Sequence, residues 1–167
     1  MLGSIGVAPT GPDPIPSRDC VIYGGNMDYP RTKTGSTLHL PVLVEGGYLF
    51  LGDGHALQGD GEITGNGIEV SCDISFSVRV SKLGLEWPAG EDAEFLYTIV
   101  NCKPLEQAAQ IATAQMANWL RQSYGMSHDQ VGILLGQLVH YELGNLVSNA
   151  YTVACCFPKS GLPNFPR

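Results

Sequence analysis

Residues 68–80 read Ile-Glu-Val-Ser-Cys-Asp-Ile-Ser-Phe-Ser-Val-Arg-Val, with an apolar side chain at every even position from Ile68 to Val80. Glu69, Ser71, Asp73, Ser75, Ser77 and Arg79 fill the odd positions between them. Successive side chains of a strand point to opposite faces, so this period of two predicts a long strand with one buried and one wet face. Such alternation belongs to antiparallel sheets, whose outer face meets water. Cys72 falls on the apolar side and reads as packing rather than as a nucleophile.

Upstream, Thr37–Val44 (TLHLPVLV) predicts a strand in which Pro41 marks an edge or a bulge. Glu45-Gly46-Gly47 is a turn and Tyr48–Leu51 the returning strand, so the pair reads as a β-hairpin. Pro9 to Tyr29 reads as loop, and the opening residues show no element ahead of the Pro-rich stretch, as expected of an incomplete gene product.

Downstream the period changes. Ala93–Val100 predicts another strand. Pro104 suits a first helical position, and Leu105, Ala108, Ala112, Met116, Trp119 and Leu120 follow at helical spacing until Gly125 stops the helix. Ser127 with Gln130 forms a capping box for a second helix with Val131, Leu134, Leu135 and Leu138 on its apolar face. Tyr151–Phe157 reads as a last strand in which at most one of Cys155 and Cys156 faces the core. The expected class is α+β. A β-rich, antiparallel portion over residues 1–83 precedes a portion with two helices and a last strand over 84–167.

The 167 residues suffice for a real core, and 44% apolar with 15% charged residues indicates a folded chain. Nine basic against sixteen acidic residues, with no basic cluster, argue against nucleic acid and anionic membranes as partners. No run approaches the roughly 18 apolar residues of a membrane span, and the N-terminus does not read as a signal peptide. Five cysteines without a CxxC pair point away from a disulfide framework and toward the reducing cytoplasm.

Chemistry concentrates in Leu51–Glu62, LGDGHALQGDGE, where Asp53, His55, Asp60 and Glu62 are interspersed with glycines. These side chains supply metal ligands or an acid/base pair, and glycines allow close approach. The plain alternative is that Asp and Gly make good turns. An EF-hand is excluded, because His55 and Leu57 stand where its oxygen ligands belong. Asn26 and Asp28 lie in a second Gly-rich polar loop, and sites form where such loops converge. His128 reads as solvated in a first helical turn, His140 as closing the second helix, and His39 as facing away from Leu38 and Leu40. Neither a Gly-x-Ser-x-Gly elbow nor a dinucleotide or phosphate loop occurs.

Gly24-Gly25-Asn26-Met27-Asp28, Gly35-Ser36-Thr37-Leu38 with Leu40-Pro41-Val42, Gly52-Asp53-Gly54-His55-Ala56 and Gln58-Gly59-Asp60-Gly61-Glu62 together resemble the acetamidase/formamidase family. The opening Gly3–Pro9 and the helix-then-strand order ending in Phe157-Pro158-Lys159 match as well. The resemblance implies a mainly antiparallel, jelly-roll-like β-sandwich over 1–83, with an α/β portion over 84–167 completing the same domain. It implies hydrolysis of short aliphatic amides to a carboxylate and ammonia, by a homo-oligomer with a metal-assisted site. It also implies an N-terminal region of the site that this chain lacks, and Tyr23 stands where the family commonly has His. On this reading His55 and Asp53 hold a divalent metal, zinc or else calcium. Glu62 is the general base, Asp60 shares a catalytic role with Glu62 and His55, and Asn26 and Asp28 bind substrate. The alternatives are a truncated, non-catalytic relative and a calcium- and carbohydrate-binding sandwich module.

Overall fold

The computed structural model describes residues 1–163 and contains two antiparallel sheets and two α-helices. β1 (Leu2–Gly6), β2 (Cys20–Val21), β3 (Gly24–Asn26) and β5 (Phe50–Gly54) form a four-stranded sheet in the order β2-β3-β1-β5. β4 (Thr37–His39), β6 (Ala89–Glu91), β7 (Phe95–Cys102), β8 (His140–Leu143) and β9 (Tyr151–Pro158) form the other, in the order β4-β6-β7-β9-β8. The α+β class is as the sequence predicts. β4 joins the portion before residue 84 to the sheet of the portion after it.

The five-stranded sheet is covered on both faces. Leu96 and Val100 of β7 and Val153, Cys155 and Phe157 of β9 pack against the helices. Tyr97, Ile99, Ala154 and Cys156 join Cys20, Met27 and Tyr29 in a second core, against which Ile5 of the four-stranded sheet also packs. Both Cys155 and Cys156 are therefore fully buried, which corrects the expectation that only one could be. Strands sandwiched in this way read as near-continuous apolar runs.

The helices form as their end signals dictate. α1 (Leu105–Tyr124) stops at Gly125, which takes the left-handed conformation at φ 65°. α2 (His128–Leu138) begins with the complete Ser127/Gln130 capping box. His140 lies beyond the helix in β8, so the expectation that it closes α2 is corrected.

Several strand expectations are corrected by the structure. β4 pairs with β6 and β5 pairs with β1, so no hairpin joins them. β4 ends at His39, two residues before Pro41, which has no N–H to offer a ladder. The region read as loop and bare terminus contains β1, β2 and β3; β1 and β3 are glycine-rich, and β2 is only two residues long, so none carries much β signal. In 68–80 only the start is paired: Ile68 donates to Leu57 O at 2.9 Å and Val70 to Gly54 O at 2.8 Å, beside β5. Beyond it the segment belongs to no strand, Cys72 is exposed, and Val80 is 91% exposed. The alternation reports a face that can be buried, but burial also needs a partner strand, which the described residues do not supply.

Candidate functional site

β1, β3 and β5 lie side by side, and this order brings the two polar loops together. Asp28 follows β3, and Asp53 and His55 sit at the end of β5. Asp28, Asp53 and His55 each offer a ligand atom within 4.8 Å of the other two. Asp28 is fully buried, His55 nearly so, and Asp53 partly exposed. Asp28, Asp53 and Glu62 all have left-handed backbones, with φ of 46°, 62° and 44°. A non-glycine residue there is uncommon and is held by its surroundings.

The hydrogen bonds show what holds each group. Asn26 Nδ2 donates to Asp28 Oδ2 at 2.8 Å, and Asn145 Nδ2 donates to the same oxygen. Ser4 Oγ lies 2.7 Å from Asn26 Oδ1 and 3.1 Å from Asp53 Oδ2. His55 Nδ1 is 2.8 Å from Gln58 Oε1, and His55 Nε2 is 2.9 Å from Glu69 Oε1 and 3.4 Å from Asp53 Oδ1. Glu62 is buried on a 3-10 turn over Asp60–Glu62, its Oε1 accepting from the Gly67 N–H at 3.0 Å.

Asp28 Oδ1 is buried with no partner. Burial pushes the Asp28 carboxyl up to about 7, although the Asn145 hydrogen bond pulls the other way; the Glu62 and Asp53 charges raise it further, and His55 lowers it. For His55, burial alone would lower the pKa, but the Gln58 hydrogen bond and the carboxylates of Asp53, Glu69 and Asp28 outweigh it and the pKa is raised. Negative charge in this cluster is under-compensated.

A cation fits what is missing. A Cβ on Gly3 would stand 2.5 Å from Asp28 Oδ1 and 2.7 Å from Asp53 Oδ2, so glycine leaves a space faced by two carboxylate oxygens. One imidazole and two carboxylates suit zinc, and carboxylate oxygens also suit calcium. A second grouping, His140, Glu142 and Cys156, has comparable spacing. It is already satisfied, because Arg31 grips Glu142 through two nitrogens and burial pushes the Cys156 thiol up to about 12.

The sequence-predicted residues thus separate. His55, Asp53 and Asp28 meet, Asn26 orients Asp28, and Glu62 is near enough to raise the Asp28 pKa. Asp60 is exposed on the turn. Sequence reasoning missed Ser4, Gln58, Glu69 and Asn145. A surface hollow of about 560 Å³ beside α2, lined in part by Ala117, Val131 and Leu135, contains none of these residues.

Similarity to known proteins follows the same residues. The model of the Acetamidase/Formamidase family matches residues 5–104. A formamidase of Methylophilus methylotrophus is 40% identical over 80 residues, which are 47% of this chain and 19% of that protein. An acetamidase of Mycolicibacterium smegmatis is 41% identical over 81 residues, 48% of this chain and again 19% of the relative. Among solved structures, the acetamidase of Yersinia enterocolitica superposes with a TM-score of 0.86 at 36% identity, covering 98% of this chain and 49% of its own. That of Bacillus halodurans gives 0.84 at 32% identity, covering 96% and 54%. The chain therefore spans about half the length of the solved relatives.

Proposed function

This chain belongs to the acetamidase/formamidase family, and on that premise we propose that it carries the metal-assisted site of an amidohydrolase that converts short aliphatic amides such as formamide and acetamide to a carboxylate and ammonia. The observation that carries this reading is the unpartnered, buried Asp28 Oδ1 beside Asp53 and His55. Asp28, Asp53 and His55 would hold a divalent ion, zinc before calcium because of the imidazole. Asp28 moves here from substrate binding to ligand. When bound, such an ion acidifies water and polarises a carbonyl as a Lewis acid.

The chain's own residues do the rest. Glu62 removes a proton from the attacking water as its oxygen bonds to the amide carbon. Glu62 then returns that proton to the nitrogen as the carbon–nitrogen bond breaks, so that ammonia leaves with a carboxylic acid, whose remaining proton passes to the ammonia to give the carboxylate and ammonium. Asn26 and Asn145 hold the Asp28 carboxylate in place, leaving Oδ1 free. Asp60, on the same turn but exposed, serves at most as an outer proton carrier.

Self-association belongs to the same reading, with a second copy as the partner. Two 68–80 segments paired antiparallel about Ile74 would set Glu69 of one copy opposite Arg79 of the other, an opposite-charge pair. Light scattering showing a dimer that Arg79→Glu dissociates would support this; a monomer well above micromolar concentration would overturn it. Among the described residues no helix is long and apolar enough to cross a membrane. A cytoplasmic location is proposed from the five free cysteines.

The decisive assay is ammonia release from formamide and acetamide by purified protein, with chelation and zinc repletion. Activity lost on chelation, restored by zinc and absent in Glu62→Gln supports the reading. Zinc-replete protein that releases no ammonia supports a non-catalytic family relative instead.

A further inference from the structure

We propose that Asn66-Gly67 is a self-modifying site, at which the Gly67 backbone nitrogen attacks the Asn66 side-chain amide and the Glu62 carboxylate takes the proton that nitrogen sheds. The reaction goes beyond the amidase reading and needs neither metal nor amide substrate. Of the asparagines in the chain, only Asn66 is followed by glycine, the neighbour that shields its own backbone nitrogen least. Asn66 is exposed, and neither residue belongs to a helix or strand. Asn66 Nδ2 donates to the Thr64 carbonyl at 3.0 Å and lies 3.2 Å from Thr64 Oγ1, so the side chain folds back over its own turn.

The attacking nitrogen is already matched with a base. The Gly67 N–H donates to Glu62 Oε1 at 3.0 Å, so its hydrogen points at a carboxylate. The loop is tied at both ends, with Gly65 donating to the Glu62 carbonyl at 2.7 Å and Ile68 to Leu57 O at 2.9 Å. Gly67 also has no room for a side chain, because a Cβ there would stand 2.7 Å from His55 Nδ1. As the Gly67 nitrogen bonds to Asn66 Cγ, its proton passes to Glu62. The tetrahedral carbon then expels the side-chain nitrogen, which takes that proton and leaves as ammonia. The product is a cyclic succinimide. Water opens the ring at Cγ to give aspartate, or at the Asn66 backbone carbonyl to give isoaspartate, in which the main chain runs through the former side chain. Either opening restores the Gly67 N–H and forms a carboxylic acid, whose proton passes to the ammonia. Isoaspartate lengthens the main chain by one methylene next to the glycine that packs on His55.

The test incubates purified, chelated protein at mildly alkaline pH and follows Asn66 by peptide mapping with mass spectrometry. Wild type is expected to accumulate succinimide and isoaspartate at position 66, while Asn149, exposed but followed by Ala150, stays intact. Glu62→Gln keeps an acceptor for the Gly67 N–H but not a base, and should slow the loss of Asn66 by more than about tenfold. Should that variant not fold, native wild type is compared with the same chain unfolded in guanidinium, and the native chain should react at least as fast. Asn66 left intact in native protein, equal rates in wild type and folded Glu62→Gln, or protection by folding each overturns the proposal. Because the readout involves neither metal nor amide turnover, its failure leaves the amidase reading standing.

Discussion

Glu142 and Asp28 are carboxylates that the same fold draws partly or wholly out of water, yet they end in opposite electrostatic states. Burial alone would raise both. Around Glu142, Arg31 supplies hydrogen bonds of 2.6–3.1 Å and Tyr29 donates at 2.6 Å, so its pKa falls to about 2. Arg31 also reaches Asp92 at 2.8 Å and lies 4.5 Å above the Phe95 ring. Around Asp28, Glu62 and Asp53 add negative charge, two asparagines donate to one oxygen only, and the pKa rises to about 7. The first cluster is complete within the chain and serves as a structural clamp. The second has three carboxylates against the single imidazole of His55, an arrangement in which a bound cation would supply the missing charge.

The sharpest way to break the contrast is Asp28→Asn. It should cost more than about 100-fold in both zinc affinity and ammonia release, because a first ligand is lost rather than a supporting group. Calorimetric zinc titration beside the ammonia assay would show it; affinity within a few-fold of wild type would remove Asp28 from the ligand set. Arg31→Met attacks the other cluster. With side chains 19% and 27% exposed for Arg31 and Glu142, it should destabilise the fold by about 2 kcal/mol, read from urea unfolding, while zinc affinity stays unchanged.

The pH dependence sharpens the comparison further. Asp28 and His55 both have raised folded-state pKa values. The metal-free folded state therefore binds more protons than the unfolded chain, and their stabilising contribution is lost as pH rises. Asp28 contributes this loss between about 4 and 7, and His55 adds to it above about 6.5. Glu142 works oppositely, its contribution disappearing as pH falls from about 4.5 through about 2. Thermal melts of chelated protein should lose stability from pH 5 to 8, and saturating zinc should flatten or reverse that slope; an unchanged slope with zinc would deny the site a cation. The smallest effect is expected from Asp60→Asn, whose ammonia release should stay within about threefold of wild type because the side chain is exposed outside the cluster.

What could be read from sequence alone follows the range of the forces involved. The Ser127/Gln130 box and Gly125 act within a few residues, and both helix ends fall where those signals lie. β9 is legible as a strand, but which of its cysteines is buried depends on a second layer over the same sheet. The alternation of 68–80 is the clearest periodic pattern in the sequence, yet beyond its first paired residues the segment forms no strand and stays exposed. At the site, Asp53, His55 and Glu62 share one motif and could be found together. Gln58 and Asn145 act through hydrogen bonds spanning 30 and 117 residues to Asp28, and no local pattern records such distances.

Gly3 carries the last consequence. It has no titratable group and stands in a strand remote in sequence from both polar loops, yet its missing side chain outlines the gap between the Asp28 and Asp53 oxygens. Gly3→Ala would act as a plug built into the polypeptide, a methyl group filling the space that any cation held between those two carboxylates would need, while every acid and base stays in the chain.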